Sequence, residues 1–380
     1  MTRISLGILA LSLGCCLAFS PSQASASHVS CGDTITADTT LDGDLVSCPG
    51  NGILIGADNI TLDLNGHTVA GDDEPVLPCE TPFRCDVGVL NDGHDGVSIR
   101  HGSVKMFEDG VSVMDARDVS VVGISSSENR FDGIAFFDSA QSLVRDSSAS
   151  DNVRPYGTGM SMYESHHIRV LHNSFRDNAT WGLTTEGTNN LISRNVASGH
   201  SRDGIAVFGG SNNRVRRNRL EFNRSGIFVA SRSNVIARNR ISRPGEGSFE
   251  GMRVGVGITI EGTRNRVARN VIAHARTAGI RLEWQRGPVA DNIVRHNLVK
   301  KSRGDGFDVR RNNALLSHNI ARRARDDGFD VRGGFTKLTG NRAVRNGDLG
   351  IEAAKGVRDG GGNKAHGNGN PAQCKNVVCK

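Results

Sequence analysis

Apolar residues along this chain come in short alternating bursts, with no long amphipathic runs. The recurring form is a glycine followed by apolar, polar and apolar or small residues: "GVSV" at Gly110, "GIAF" at Gly133, "GIAV" at Gly204, "GIFV" at Gly226. A period of two over a few residues predicts a short strand with one face buried. Thirteen such glycines occur, at 52, 88, 110, 133, 159, 182, 204, 226, 257, 279, 306, 328 and 350. Six of the twelve intervals are 22 residues, and "DGFDVR" appears twice at that spacing, at Asp305–Arg310 and Asp327–Arg332. No segment shows a 3.6-residue helical pattern.

Within a unit, asparagines recur eight or nine residues after the glycine, as at Asn190, Asn234 and Asn265. They recur again at thirteen, as at Asn195, Asn239, Asn270, Asn292, Asn319, Asn341 and Asn363. Short apolar pieces such as "NLISRN" and "NVIARN" lie between them. About three short strands per 22 residues, repeated about thirteen times, predict an all-β fold, a single-stranded right-handed parallel β-helix. One coil cannot bury its apolar face alone, whereas a stack encloses a continuous core. Asparagines stacked at one turn form a hydrogen-bonded ladder along the axis. The glycines serve a turn conformation or tight packing.

The start of the chain changes the compartment. Residues 1–26 read as a signal peptide, with a basic start, an apolar stretch to Phe19 and Ala24-Ser25-Ala26 as the cleavage pattern, so the mature protein is expected in the periplasm or secreted. The cysteine pair Cys15-Cys16 leaves a lipoprotein alternative. The remaining cysteines fall into local pairs, predicted as disulfides Cys31–Cys48, Cys79–Cys85 and Cys374–Cys379. The expected organisation is an N-terminal cap over 27–51, a β-helix over 52–370 and a disulfide tail over 371–380. The net charge of +6 comes chiefly from arginine, since only eight of the 46 basic residues are lysine. A basic exported protein suits a polyanion such as an acidic polysaccharide or cell-surface glycan. Nucleic acid and a membrane span are not expected, and a monomer is.

The segment "CGDTITADTTLDGDLVSCPGNGILIGADNITLDLNGHTVAG" (residues 31–71), followed by the glycine and asparagine coils, resembles exported bacterial β-helix repeat proteins of the pectate-lyase-like and NosD-like kinds. The resemblance covers nearly the whole mature chain. It implies the fold, and for chemistry either calcium-assisted β-elimination or epimerisation of a uronate, with acids as ligands and an arginine as base, or a copper-related role.

Residues two and four after each glycine point outward. Along the chain the second position runs Thr184, Ala206, Phe228, Thr259, Arg281, Asp308, Asp330, Glu352, and the fourth runs Glu186, Phe208, Ala230, Glu261, Glu283, Arg310, Arg332, Ala354. Charges gather on the last coils. The candidate catalytic residues are therefore Asp308, Asp330, Arg310, Arg332 and Glu283. The candidate substrate-binding residues are Trp284, Arg281, Glu261, Glu352 and Tyr163, with Trp284 as a sugar-stacking platform. Asp308 and Asp330 are also the candidate ligands for calcium. Asp305 and Asp327 fit ordinary Asp-Gly turn chemistry. His274 and His296, both seventeen residues after a glycine, form a candidate metal pair. Stacked carboxylates also suit a glycoside hydrolase. Three insertions that precede Gly88, Gly159 and Gly257 emerge beside one sheet and predict a groove. The expected function is binding or processing of an acidic polysaccharide on this sheet. The alternatives are a non-catalytic adhesion module and a metal-related periplasmic protein.

Overall fold

The computed structural model describes residues 28–79, 84–152, 156–246, 255–283, 290–310 and 313–380. A typical coil lays one strand on each of three faces, as in Asp203–Val207, Arg214–Arg216 and Arg219–Glu221, before the next coil starts at Ser225, whereas Ser98–Lys105 and Ser120–Ser127 each run through the second and third faces as one strand. Among the described residues the strand pairings are parallel, and coils stack in register, as where Ile205 meets Ile227, Val215 meets Ile236 and Leu220 meets Ile241, apart from shifts between Leu45 and Cys48 and between Ala290 and Asn292. The first face is a sheet of fifteen strands, and the stack makes about fourteen turns. It runs from Asp33–Ile35 to Cys374–Lys375. The three predicted disulfides are all formed. Among the described residues no helix is long and apolar enough to cross a membrane.

Burial follows the alternation. Val111, Ile134, Met160, Leu183, Ile205, Ile227, Ile258, Ile280, Phe307, Phe329 and Ile351 form one unbroken buried column. Phe307 and Phe329 stack with centroids 4.5 Å apart, so the repeated "DGFDVR" contributes a matched aromatic pair to the core. The glycine column exists because of close approach. A Cβ on Gly182 would lie 2.5 Å from the carbonyl oxygen of Gly204, and one on Gly306 would lie 2.5 Å from that of Gly328. Neither glycine has a positive φ, so packing rather than turn conformation requires them.

Buried asparagines run along all three corners. In one ladder Asn190, Asn213, Asn234, Asn265 and Asn292 each present Oδ1 to the backbone N–H of the preceding rung. A second runs Asn173, Asn195, Asn218, Asn239, Asn270, Asn297, Asn319, Asn341 and Asn363. A third, at the turn into the first face, runs Asn129, Asn152, Asn178, His200 and Asn223. The residue before a rung in the first two ladders adopts the left-handed conformation, as at Asn189, Arg194, Asn212 and Arg217.

Two expectations are corrected by this register. Asn292 belongs to the first ladder and Asn297 to the second, because the coil at Gly279 carries an insertion that shifts any count from the glycine. For the same reason His296 lies over His318, with rings stacked 5.2 Å apart, and does not pair with His274. The coil above His274 presents Lys301 instead, since Ala273 is in register with Lys300.

Candidate functional site

The first face carries two adjoining polar features, an ion-pair cluster and an open groove. In the cluster, Arg281 Nε donates to Asp308 Oδ2 at 2.9 Å, and Arg310 donates to both Asp308 oxygens at 3.1 and 2.9 Å. Arg310 Nη1 also lies 3.4 Å from Glu283, and Arg281 lies 4.0 Å from it. One coil further, Arg332 donates to both oxygens of Asp330. Asp308 and Asp330 are 1 % and 4 % exposed, so the two acids lie under their guanidinium partners. Burial nevertheless raises the Asp330 carboxyl, against the pull of Arg332.

Asp305 and Asp327 stand beside this cluster. Asp305 Oδ1 accepts the N–H of Asp327 at 3.2 Å, and Asp327 Oδ1 accepts that of Leu349 at 2.8 Å, so each bonds the backbone of the next coil and not that of its own turn. Burial pushes each up to about 7. Asp330 adds to it for Asp305, and Asp305 adds to it for Asp327. Oxygens of Asp305, Asp308 and Asp330 lie within 4.8 Å of one another. Calcium takes six to eight oxygen ligands. Here the carboxylates of Asp308 and Asp330 are already engaged by Arg281, Arg310 and Arg332, which supply the compensating charge. The arrangement as it stands does not fit a calcium ion.

The groove opens over the preceding coils. A cavity of about 440 Å³ is lined by Trp181, Phe208 and Phe228 on one side, and by Asp203, Glu261, Glu283, Arg202, Arg224 and Arg281 elsewhere. A second hollow of about 650 Å³ shares Phe208 and Glu261 and continues toward Ser211, Arg232 and Thr263. The two make a trough running with the strands from one corner of the face to the other. Its aromatic wall is consecutive: Trp181 meets Phe208 edge-on at 5.4 Å, and Phe208 meets Phe228 at 5.6 Å. The Arg202 guanidinium sits 4.8 Å over the Trp181 ring. Trp181 Nε1 donates to Asp203 Oδ2 at 3.3 Å. Burial pushes the Asp203 carboxyl up to about 6, despite that bond and the nearby Arg224 and Arg202.

Of the residues expected from sequence, Glu261, Glu283 and Arg281 line the groove, and Arg281 and Glu283 also join it to the cluster. Asp308, Arg310, Asp330 and Arg332 form the cluster itself. Glu352 pairs with Lys375 at 2.9 Å at the C-terminal end. Tyr163 is exposed and lies outside the trough lining. Trp284, residues 1–26 and the loop 247–254 lie outside the described residues. Sequence reasoning missed Trp181, Asp203, Arg202 and Arg224. The available signal was one column to the left: Trp181 stands just before its glycine, where Asp109, Asp132 and Asp203 stand on other coils.

Residues 65–246 match a family model described as "Periplasmic copper-binding protein (NosD)". No curated protein matches the chain in sequence. Similar solved structures include the tailspike protein of E. coli bacteriophage HK620 in complex with pentasaccharide. It is 13% identical with a TM-score of 0.53, over 90% of this chain and 73% of that one. DFA-IIIase from Arthrobacter chlorophenolicus A6 in complex with GF2 is 14% identical with a TM-score of 0.49, over 74% and 70%. PfbA, a surface adhesin of Streptococcus pneumoniae, is 11% identical with a TM-score of 0.45, over 75% and 80%. At these identities the likeness concerns the fold. The chain is a parallel β-helix repeat protein, with repeats similar to those of the NosD family over residues 65–246.

Proposed function

We propose that the trough binds an acidic glycan and hydrolyses it, with Asp203 as the proton donor. The observation that carries this reading is the placement of a raised carboxyl, Asp203, against an aromatic wall in a groove that also holds carboxylates and arginines. Sugar rings present apolar C–H faces that suit Trp181, Phe208 and Phe228, while Arg202 and Arg224 suit carboxylates on the glycan. Asp203 donates to the glycosidic oxygen, and Glu261 or Glu283 acts as the second carboxylate. Hydrolysis is favoured over β-elimination because Arg281, which reaches Glu283 in the groove, already donates to Asp308 and is not free to act as the base. The tailspike protein that shares the fold is in complex with a pentasaccharide, which supports a glycan as the class of ligand. Three disulfides suit an oxidising compartment, so the protein acts after export.

The test is a panel of uronate polymers assayed for binding and for new reducing ends. Trp181→Ala is expected to weaken binding by roughly tenfold or more, as for loss of one aromatic platform. Asp203→Asn is expected to keep binding and lose turnover by on the order of 10²-fold or more. Binding without cleavage by the wild type would reduce the reading to an adhesion module. Absence of both would overturn it.

A further inference from the structure

On a different part of the coils that hold the groove, the protein carries an uncompensated arginine ridge. Residues 191–270 contain 15 arginines, no lysine and five acids, a net +10 against +6 for the whole chain. At the corner between the second and third faces, which does not border the groove, Arg194, Arg217, Arg238 and Arg269 occupy one position on four consecutive coils. Their register is fixed by backbone bonds from Arg194 to Arg216, Arg217 to Ala237, Arg238 to Ala268 and Arg269 to Arg295. Successive guanidinium stems are therefore about 4.8 Å apart along the axis. All four side chains are exposed, and no ion pair engages them among the described residues. Arg216 and Arg240 flank the ridge, also exposed.

Turn chemistry does not select these arginines. All four adopt φ between 58° and 61°, a conformation that favours Asn, Asp or Gly. At the same corner Asp146 and Gly340 obey that preference, while His172, His296 and His318 stand between them and the arginines. Arginine occupies left-handed turns at other corners too, as at Arg243, Arg323 and Arg345, so what sets this corner apart is four consecutive arginines with no acid opposite, a row of like charge that a polyanion would neutralise.

We propose that this ridge is a binding surface for an anionic polysaccharide lying along the helix axis, separate from the trough. A regular row of cations on a rigid rod matches an extended polymer that carries one carboxylate or sulfate per unit. No aromatic side chain stands between the four arginines, so successive bases of a single-stranded nucleic acid find no platform within the row, only the imidazoles of His172 and His296 at its ends. Duplex phosphates at 3.4 Å per strand are out of step with the coil spacing.

The experiment measures retention of the full chain on polygalacturonate, on a sulfated glycan (heparin), on neutral dextran and on duplex DNA, across a salt series. The ridge variant is Arg194→Asn, Arg217→Asn, Arg238→Asn and Arg269→Asn together, which suits the left-handed turn and preserves the ladder. A control with the same charge change elsewhere is Arg303→Asn, Arg323→Asn, Arg325→Asn and Arg345→Asn. The ridge variant is expected to bind the anionic glycans on the order of 30-fold more weakly at low salt, roughly a two- to threefold factor for each exposed pair. Wild-type binding should fall steeply with salt, and dextran should not bind. Polygalacturonate and heparin distinguish carboxylate from sulfate as the preferred anion. Equal binding by wild type and ridge variant, an equal loss in the control, or preference for DNA would overturn the proposal. None of these readouts depends on turnover in the trough.

Discussion

His200 is the one rung of the third ladder that is not asparagine, and replacing it tests the ladder account directly. Its Nδ1 accepts the N–H of Asn178 at 3.2 Å, and its own N–H donates to Asn223 Oδ1 at 3.2 Å. The imidazole is fully buried, and Nε2 makes no bond of hydrogen-bond geometry. Burial depresses the folded-state pKa from 6.5 to about 4. The unfolded chain therefore takes up a proton between these values while the folded chain does not. The histidine's contribution is fully present above about pH 6.5 and is lost as pH falls toward 4. At 1.36 kcal/mol per unit, the loss is about 2 kcal/mol at pH 5. His200→Asn removes this proton linkage. It also places an amide where Asn178 Nδ2 bonds the Ala149 carbonyl and Asn223 Nδ2 bonds that of Ala197. The variant should match or exceed the wild type near neutrality, and its advantage should grow by about 2 kcal/mol by pH 5. Urea denaturation followed by far-UV circular dichroism at both pH values measures this. Hydrogen exchange of residues 173–242 supplements it, since repeat arrays can unfold in parts. An advantage independent of pH, or a variant less stable at both values, would refute the reasoning.

Other perturbations read different parts of the molecule. Asn218→Ala removes an amide that bonds Ile192 and Asn239 and accepts from Asn195. It should cost about 3–5 kcal/mol, seen in the same denaturation assay. Gly306→Ala forces a Cβ against the Gly328 carbonyl and should cost about 1–3 kcal/mol, measured against Gly361→Ala, where nothing lies within 4 Å. At Gly361 only its positive φ is penalised. Asp327→Asn should stabilise the protein near pH 8 and have no such effect below pH 4, because the folded carboxyl is raised from 3.8 to about 7 and its ionisation is what costs. Glycan cleavage should decline as pH rises through about 6, where Asp203 loses its proton, and a pH–rate profile rising through that range would exclude it as the donor.

The fold was legible because coil spacing is written into the chain as a 22-residue period that few sequences meet by chance. The site was legible only in part. Glu261, Glu283 and Arg281 were found since outward positions follow from alternation alone. Asp203 was not, because a lone Asp before Gly reads as turn chemistry, and only neighbouring coils reveal Trp181 and Phe208 around it. Counting from glycines also fails wherever an insertion intervenes, which misassigned Asn292 and paired His296 with the wrong histidine. Asp308 and Asp330 were recognisable as charges on one face, but their enclosure by three guanidiniums depends on side-chain geometry that a register cannot convey.

The second ladder also acts as a rule for growth. Each rung offers its Oδ1 to the coil before it and takes the Oδ1 of the coil after it, from Asn173 through to Asn363. A duplicated unit placed between Asn218 and Asn239 would meet a donor below and an acceptor above, so the rod can lengthen internally without orphaning a polar group. The ends cannot be copied in the same way: at the corner into the first face Asn346 donates its N–H to Asn368 Oδ1, and Asn368 closes that column through Gln373, a residue with no counterpart in any repeat. Such a rod varies in length by whole coils, while its terminal closures stay fixed.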